Sequence, residues 1–377
     1  MGFFRKTPKI SKENAKYNNC IINNIKVKKL DHDNCIATAY YVLADKEHAS
    51  FDDVYSALRK LYAYNHDLCF IFQDNILTID LPLTDKDIIE VEADVFNIIS
   101  TCATRMFEAD IIKHNFMCMF PEYDLSSLNF TGCDIEDIRQ TINDNFGYFE
   151  LTNEGMSRFN LEPVKKYGCV LEVHALPDIV HHTYVDIFNY EDNVTYFDVI
   201  KLLDQETEKT ILTRRRAEDR YVLAGYEDDS ITAKDLEYVE NALKELNENE
   251  IFCTFTRYII LFDDSLDSLK ERARNLIVYF REKGTIIAKS LEQAKTFFNL
   301  YVNKYIYKSL YHHLANLKFP LSYIRPMEIE EEDTDEKKIS YTTDHTQKRS
   351  CSHCGTTYIG DINGFAPKCP NCGANIN

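Results

Sequence analysis

The sequence has little glycine, no tryptophan and no long apolar run. Its 377 residues include 11 glycines, which is less than half of the usual share of about 7%. Because glycine lets the backbone approach a phosphate group closely, this scarcity argues against a nucleotide-dependent enzyme. A membrane-spanning helix needs about 18 or more consecutive apolar residues, and no stretch approaches that length. These absences favour a protein made of packed elements and interfaces, without a membrane span.

The short motifs of common catalytic sites are missing as well. The sequence contains no G-x-x-x-x-G-K-[ST] phosphate loop, no G-x-G-x-x-G dinucleotide fingerprint, no H-E-x-x-H metal motif and no G-x-S-x-G nucleophile turn. Many active sites are assembled from scattered residues, so an enzyme with an unrecognised site stays open as an alternative. The missing motifs and the few glycines together make a non-enzymatic protein the favoured interpretation.

Basic residues are the minority among the charges. The chain has 43 Lys and Arg against 61 Asp and Glu, which gives a net charge of −18 at pH 7. Binding to nucleic acid depends on Lys and Arg that displace counterions from phosphates, so this balance disfavours nucleic acid as a partner. The one dense basic cluster, TRRRAEDR, contains Arg214, Arg215 and Arg216. These arginines form salt bridges with neighbouring acids or provide a contact for an anion or an acidic partner.

The twelve cysteines fall into two sets. The first set is scattered, mostly within apolar runs, where free cysteine behaves as a small buried hydrophobic residue: Cys20, Cys35, Cys69, Cys102, Cys118, Cys133, Cys169 and Cys253. Reduced core thiols indicate a cytoplasmic protein, and the basic N-terminal segment lacks the apolar run of a secretory signal. The expected location is therefore the cytoplasm, or a phage or similar particle assembled inside the cell.

The first 150 residues divide into an arm and an α+β domain. Residues 1–30 are polar and rich in lysine, and we interpret them as an arm or an opening edge strand. The domain, 31–150, has the order strand, helix, hairpin, helix and strand, over 34–44, 50–66, 67–83, 84–110 and 111–120. This βαββαβ order matches the ferredoxin-like arrangement, in which a helix pair covers one face of an antiparallel sheet.

A second α+β domain is expected over 166–320. The patterns predict strands over 167–176, 220–226, 251–262 and 285–290, and helices over 195–209, 232–250, 264–284 and 291–317. The last helix carries aromatic residues at spacings of three and four, including Tyr301 and Tyr305. This stripe either packs on its own domain or contacts a partner, because aromatic residues are enriched in interfaces.

The strand, helix and strand order over 251–290 resembles the N-terminal, non-ATPase part of VirB4-type conjugation proteins. The resemblance covers about forty residues and rests on the order of elements. The part of those proteins that binds ATP has no counterpart in this sequence, so the resemblance implies no ATPase activity here.

The C-terminal segment holds the second set of cysteines, in the pairs CSHCG and CPNCG with fourteen residues between them. Two cysteines at this spacing can bind one metal ion when the turn between them is tight, and Gly355 and Gly373 permit the positive φ that such a turn needs. Two such turns held together by a hairpin give a tetrahedral cage of four cysteines. Residues 351–377 resemble the zinc-ribbon family with rubredoxin-like knuckles.

This resemblance implies a structural zinc ion bound by Cys351, Cys354, Cys369 and Cys372. Four thiolates close the coordination shell, so no position is left to activate water. An iron centre uses the same four thiolates and is the alternative metal. The ribbon, 350–377, follows an acidic linker, 327–349, and its own charge is close to zero, which is too little for a general grip on phosphates.

The sequence as a whole predicts an α+β protein of two sandwich-like blocks with a zinc ribbon on a linker. We expect a non-enzymatic structural or adaptor subunit of a larger assembly, which docks a protein partner or a second copy through the ribbon and the aromatic helix. The alternative is an accessory nucleic-acid-binding factor that uses the ribbon and the Arg214–Arg216 cluster.

Overall fold

The chain forms two compact units, Met1–Met327 and Glu328–Asn377. The computed structural model describes residues 20–22, 24–29, 35–45, 47–66, 68–107, 110–111, 140–141, 143–144, 150–153, 159–162, 166–175, 194–226, 229–303, 313–325, 346–350 and 357–361. Within these ranges the first unit is a mixed α and β structure built on an antiparallel sheet. The predicted α+β class is therefore confirmed.

The first unit contributes strands and helices in mixed order. The strands are β1 (Cys20–Ile22), β2 (Ile25–Lys29), β3 (Cys35–Leu43), β4 (Cys69–Gln73), β5 (Ile76–Leu81), β6 (Ala103–Arg105), β7 (Glu150–Asn153), β8 (Phe159–Glu162), β9 (Lys166–Ala175), β10 (Val194–Leu202), β11 (Phe252–Asp263), β12 (Ile286–Lys289) and β13 (His313–Asn316). The helices are α1 (Phe51–Tyr64), α2 (Ile88–Ile99), α3 (Gln205–Gly225), α4 (Ser230–Asn247), α5 (Leu266–Glu282), α6 (Gln293–Phe298) and α7 (Lys318–Ile324). A π-helical turn, Asn299–Asn303, continues α6.

The first half of the sheet has the element order that the sequence predicts. Strands β6, β3, β5 and β4 are antiparallel neighbours in that order, and α1 and α2 share one hydrophobic core with them. This order matches the ferredoxin-like arrangement. Helix α1 begins at a capping box, in which the Ser50 hydroxyl accepts from the Asp53 N–H and the Asp53 carboxylate accepts from the Ser50 N–H.

The second half of the sheet repeats the first with the strand order reversed. The continuous path is β1-β2-β3-β5-β4-β10-β11-β9-β8-β7, with β6 beside β3 and β12 beside β9. Each strand from β1 to β6 therefore has a counterpart six strands later, from β7 to β12. The two halves meet where β4 pairs with β10, with Phe70 opposite Ile200 and Phe72 opposite Asp198. The described strands thus show an internal duplication around this central pair.

Hydrophobic cores cover the sheet on both faces. Ile200 and Leu202 of β10 belong to the core under α1 and α2, while Val194 and Tyr196 pack on the core under α5. Alternate residues of a strand point to the same face, so these three helices lie on one side of the sheet. Phe197 points to the opposite face, where its ring lies 5.0 Å from that of Tyr301 after α6.

Side-chain amides hydrogen-bond to the backbone at the points where a long strand changes from one neighbouring strand to the next on the same side. Strand β9 pairs with β8 up to Gly168 and with β12 from Leu171 onward. Between them, the Val170 N–H donates to the Gln293 Oε1 at 2.6 Å, and Gln293 Nε2 donates to the Val170 carbonyl at 2.9 Å. In the first half, Asn24 Nδ2 donates to the Tyr40 carbonyl at the corresponding change from β2 to β6. In both halves a side-chain amide thus donates to the strand carbonyl at this position, while the Tyr40 N–H donates to the backbone carbonyl of Asn24 rather than to a side chain.

Three of the differences from the prediction each add a strand to the sheet. The last strand of the βαββαβ order is β6, at 103–105, because α2 ends at Ile99 rather than continuing to 110. The strand predicted over 111–120 lies almost entirely outside the described residues. Residues 194–202 form strand β10 rather than a helix. The aromatic helix predicted over 291–317 gives way to β13, which pairs with the part of β11 that β9 does not reach.

Four cysteines of the first set lie in the described ranges as free thiols: Cys69, Cys102, Cys169 and Cys253. Burial raises the pKa of Cys102 and of Cys169 to about 11, so these thiols stay protonated at neutral pH and are unreactive. This agrees with the prediction of reduced core cysteines for these four. Within the described ranges, no helix is both long and apolar enough to cross a lipid bilayer.

The second unit contains an antiparallel pair of strands, β14 (Thr346–Ser350) and β15 (Thr357–Asp361). Their register places Thr346 opposite Asp361 and Ser350 opposite Thr357. This hairpin forms across the first cysteine pair, and the hairpin that the sequence predicts between the two pairs lies in part outside the described residues. Residues 351–356, which include Cys351 and Cys354, connect its paired ends.

Candidate protein-interaction surface

A helical hairpin, formed by α3 and α4, distinguishes the second half of the sheet from the first. In the first half, the two-residue turn Asp74-Asn75 joins β4 to β5, and Asp74 adopts a φ of 50° there. The corresponding strands β10 and β11 are joined by α3 and α4, from Gln205 to Asn247. The hairpin is therefore an insertion at a position where the duplicated fold needs a short turn.

The base of this hairpin is anchored in a small core of its own. Leu212 of α3 packs against buried residues of α4 and of strand β11: Val239, Ala242, Leu243, Leu246 and Phe252. The Tyr238 hydroxyl donates to the Leu314 carbonyl at 2.9 Å, and burial raises the pKa of Tyr238 to about 12. Gln205 holds the start of α3, because its side-chain oxygen accepts from the Phe252 N–H at 2.7 Å. The base is thus fixed to the sheet.

The outer part of the hairpin, which we call the outer arm (213–238), contains no buried residue among those described. Leu212 is the one buried residue of α3, and the thirteen residues from there to Gly225 extend about 20 Å at 1.5 Å per residue. Ion pairs Arg215–Asp235 and Arg220–Glu240 connect the two helices. Exposed pairs of this kind add about 1 kcal/mol or less each, so the arm contributes little to the stability of the fold.

Large apolar side chains gather at the end of the outer arm. Tyr221 is 83% exposed, Val222 38%, Tyr226 74% and Ile231 78%. We call these four residues the hairpin tip. They lie in the last turn of α3, at its C-cap and in the first turn of α4. The connection is compact, because the Asp229 N–H donates to the Tyr226 carbonyl at 3.2 Å. Clustered apolar exposure at one end of an element marks interaction sites more often than scattered exposure does.

Hydrogen bonds fix the start of α4 beside the tip. Asp229 is the N-cap, and its carboxylate accepts from the backbone N–H groups of Ile231 and Thr232. The Thr232 hydroxyl also donates to this carboxylate at 2.8 Å. These bonds, those with Thr232 foremost, lower the pKa of Asp229. Asp229 is therefore ionised at neutral pH and holds a negative charge next to the tip.

The arginine cluster predicted as an interaction site lies on the outer arm, on the helix α3. Arg214 Nε is 2.8 Å from Glu218 Oε1, with both side chains mostly exposed. Arg215 binds Asp235 of α4, and this hydrogen bond raises the pKa of Arg215. Arg216 is half-buried. Two of the three guanidinium groups thus have carboxylate partners within the hairpin, which favours the salt-bridge interpretation of the cluster for them.

Of the two tyrosines predicted as contacts, Tyr301 lies in the described residues. Tyr301 is buried, with its ring centroid 4.7 Å from that of Phe297 and 5.9 Å from that of Phe262. Its position favours the core alternative, in which the stripe packs on its own domain. Tyr305 lies outside the described residues, and so does the aromatic sequence up to His312.

The four cysteines predicted as metal ligands, Cys351, Cys354, Cys369 and Cys372, also lie outside the described residues. Within the ranges that the structure describes, no three His, Cys, Asp or Glu side chains come together in a way that could hold a metal ion. The predicted zinc site therefore stays a prediction that rests on the cysteine spacing.

Buried polar groups elsewhere in the first unit serve the fold. Arg257 and Asp198 form a bidentate ion pair with distances of 2.6 and 2.7 Å, and both side chains are 4% exposed. The Arg257 guanidinium lies 4.8 Å from the ring centroids of both Tyr196 and Tyr323. The carboxylate and both rings belong to the same unit, so the buried pair acts as a structural cross-link.

A second buried carboxylate, Glu92 of α2, connects four elements. Its oxygens accept from Asn24 Nδ2 at 3.1 Å, from the Tyr41 hydroxyl at 3.0 Å and from Arg105 at 2.9 and 3.0 Å. The Arg105 guanidinium stacks over Phe96 at 3.7 Å. Since the protein itself satisfies this carboxylate, it has little capacity left for acid–base chemistry. Neither this cluster nor Arg257–Asp198 was evident in the sequence, because their members are far apart along the chain.

The hairpin tip was also missed in the sequence, for a local reason. Residues 220–226 were predicted as a short strand on β-propensity, but they form the end of α3. The signals for one continuous helix were present: Asp204 caps its N-terminus through the Thr207 N–H, and Gly225 stands at its end.

No protein-family model matches the chain, and no curated protein is significantly similar to it. The functional conclusion accordingly rests on the chain's own geometry and chemistry.

Proposed function

We propose that this protein is a non-enzymatic docking subunit of a larger assembly and that the hairpin formed by α3 and α4 is its main docking element. The observation that carries the proposal is the exposed apolar tip at the end of an arm that the fold does not need. Tyr221 and Tyr226 would be solvated at a free-energy cost in an isolated chain, and a partner that buries them recovers about 25 cal/mol per Å² of apolar surface.

Tyrosine is suited to this role because its ring is apolar and its hydroxyl can keep a hydrogen bond at the rim of an interface. It also loses little side-chain freedom when it is immobilised, which makes tyrosines frequent anchors in protein interfaces. The rigid base around Leu212 and Phe252 positions the tip in advance. Such preorganisation lowers the entropic cost of binding.

The zinc ribbon is proposed as a second docking module, joined through the acidic linker, 327–349. The hairpin of β14 and β15 supports it, because Cys351 and Cys354 stand in the connection between the two strands, where a metal-binding knuckle belongs. Cys369 and Cys372 would complete a set of four thiolate donors, which suits Zn²⁺. A zinc ion bound there would stabilise the small unit and perform no chemistry.

Shortening the outer arm tests the docking role. We expect that replacing residues 217–233 with Gly-Asn-Gly-Ser leaves the thermal midpoint unchanged, because no described residue in that segment is buried and helical hairpins tolerate loops of two to five residues. The same variant should fail to capture the partner that the full chain retains from extracts of its source cells, with bound proteins identified by mass spectrometry. Capture of the same proteins by both chains at equal yield would contradict the docking role of the arm.

Metal analysis tests the ribbon. We expect one zinc ion for each full-length chain, and Cys369→Ser should lower the zinc content to near zero, because three thiolates bind the ion much more weakly than four at neutral pH. Cys69→Ser is the matched control, since Cys69 is a free thiol of the sheet, and it should keep the zinc content unchanged. Iron in place of zinc would overturn the choice of metal, and full metal content in Cys369→Ser would overturn the ligand assignment.

A further inference from the structure

We infer that the hairpin tip binds an apolar groove rimmed by lysine and arginine on a protein partner. The inference rests on the proposed docking function and names the chemistry of the partner. The apolar part of the argument comes from the four tip residues, of which Tyr221, Tyr226 and Ile231 are each more than 70% exposed. A groove suits this set because the residues belong to both helices of the hairpin, Tyr221 and Val222 to α3 and Ile231 to α4, and a groove can contact both at once.

The electrostatic part of the argument comes from the acids at the tip. Residues 227–229 are Glu-Asp-Asp, directly after Tyr226 and before Ile231. The outer arm as a whole has five basic residues against seven acidic ones, a net charge of −2. The arginines stand further back, and Arg215 and Arg220 are paired with carboxylates of α4. Asp229 and the two acids that precede it in the sequence therefore put negative charge next to the tip, and a basic rim complements it.

The same charges argue against the other occupants of the tip. Two copies joined tip to tip would bring together two Glu-Asp-Asp segments, on chains that each carry a net charge of −18. An anionic membrane surface would repel the acids for the same reason. Nucleic acid is disfavoured most strongly, because the acids beside the tip and the net negative charge of the outer arm repel its phosphates.

Binding of designed peptides to the full-length protein tests the inference. The probe is a 14-residue helical peptide of leucine and lysine, with leucine at spacings of three and four, so that it presents an apolar stripe between two basic edges. Two matched peptides change one property each: glutamate replaces lysine in the first, and serine replaces leucine in the second. We expect the leucine–lysine peptide to bind measurably more tightly than either, by fluorescence anisotropy at about 0.15 M salt, where distant charges are screened.

Tip variants locate the binding site. Tyr221→Ser and Tyr226→Ser are expected to weaken binding of the leucine–lysine peptide by about ten-fold or more, as truncation of a buried aromatic anchor does. Leu291→Ser and Ile286→Ser are the controls, because these residues are also exposed, by 63% and 55%, but lie away from the tip. They should leave the affinity within about two-fold. Equal losses in tip and control variants, or tight binding of the glutamate peptide, would overturn the inference.

Three further measurements separate the competing occupants. Self-association in analytical ultracentrifugation that Tyr226→Ser abolishes would show that a second copy covers the tip. Tip-dependent sedimentation with phosphatidylcholine–phosphatidylserine vesicles would show a lipid surface instead. Residues 1–19 are rich in lysine. A large gain in peptide affinity after their removal would show that this N-terminal segment of the chain itself occupies the tip. Each of these results would overturn the inference, and their absence together with tip-dependent peptide binding supports it.

Failure of this inference can be told apart from failure of the proposed function. If the arm-shortened chain loses its cellular partner while the tip variants bind the peptides as tightly as the unmodified chain, the outer arm docks a partner of different chemistry. If the arm-shortened chain keeps its partner, the docking function of the arm itself is wrong.

Discussion

Replacing Asp198 with alanine is expected to destabilise the first unit by about 3–5 kcal/mol, because the change leaves the Arg257 guanidinium charged and unpaired inside the protein. The two groups are direct neighbours across strands β10 and β11 and share two hydrogen bonds. Burial alone would lower the pKa of Arg257, but the carboxylate of Asp198 raises it, so the arginine keeps its charge. Urea denaturation followed by far-ultraviolet circular dichroism measures the loss.

Two controls separate the effect of burial from the effect of charge. Arg214→Ala removes an ion pair whose side chains are 82% and 61% exposed, and such a pair should cost less than about 1 kcal/mol. The double change Asp198→Leu with Arg257→Met removes both charges and should be milder than Asp198→Ala, because no charge stays unpaired. A small loss for Asp198→Ala, equal to that of Arg214→Ala, would contradict the structural role of the buried pair.

Gln293→Met is expected to cost about 2–4 kcal/mol of unfolding free energy, although methionine nearly preserves the size and shape of the side chain. The buried amide of Gln293 accepts from the Val170 N–H and donates to the carbonyls of Val170 and Ser290. Methionine cannot replace these bonds, and each buried polar group left without a partner costs about 1–3 kcal/mol. Thermal and urea denaturation of the full chain measure the change.

Gln205→Met is the matched control for this prediction. Gln205 makes the same kind of contact, with the backbone N–H and carbonyl of Phe252, but it is only partly buried, so water can replace its amide. Its loss should be clearly smaller than that of Gln293→Met. Equal losses would indicate that the substitution acts through packing rather than through the hydrogen bonds of the amide.

The sequence predicts best those elements whose signals are local. Ser50 and Asp53 specify the start of α1, Asp74-Asn75 specifies the turn after β4, and Ser265 caps α5, all as observed. The predictions failed where pairing partners decide the structure. Residues 194–202 have a pattern that also suits a helix, but they complete the sheet between β4 and β11. The pattern of these residues carries no information about β4 and β11, because every residue that pairs with β10 lies more than fifty positions away along the chain.

The candidate surface was predictable only in part. The arginines at 214–216 drew attention to the correct helix, but the exposure of Tyr221 and Tyr226 depends on which elements pack nearby, and no local pattern reveals that. Tyr301 illustrates the reverse case: its spacing suits an exposed stripe as well as a core, and its contacts with Phe197 and Phe297 place it in the core. The zinc prediction rests on the cysteine spacing, with the hairpin of β14 and β15 as its one supporting observation in the described residues.

The duplication in the sheet has a consequence for valency. Two separate copies of a half, joined through equivalent edge strands as β4 and β10 are, would form a symmetric dimer in which every insertion occurs twice. In the fused chain, the second half carries the long hairpin between β10 and β11, while the first keeps the turn at Asp74-Asn75. The fused chain therefore has one such hairpin and would bind one partner through it. A symmetric dimer with two hairpins would instead bind two partners and cross-link them.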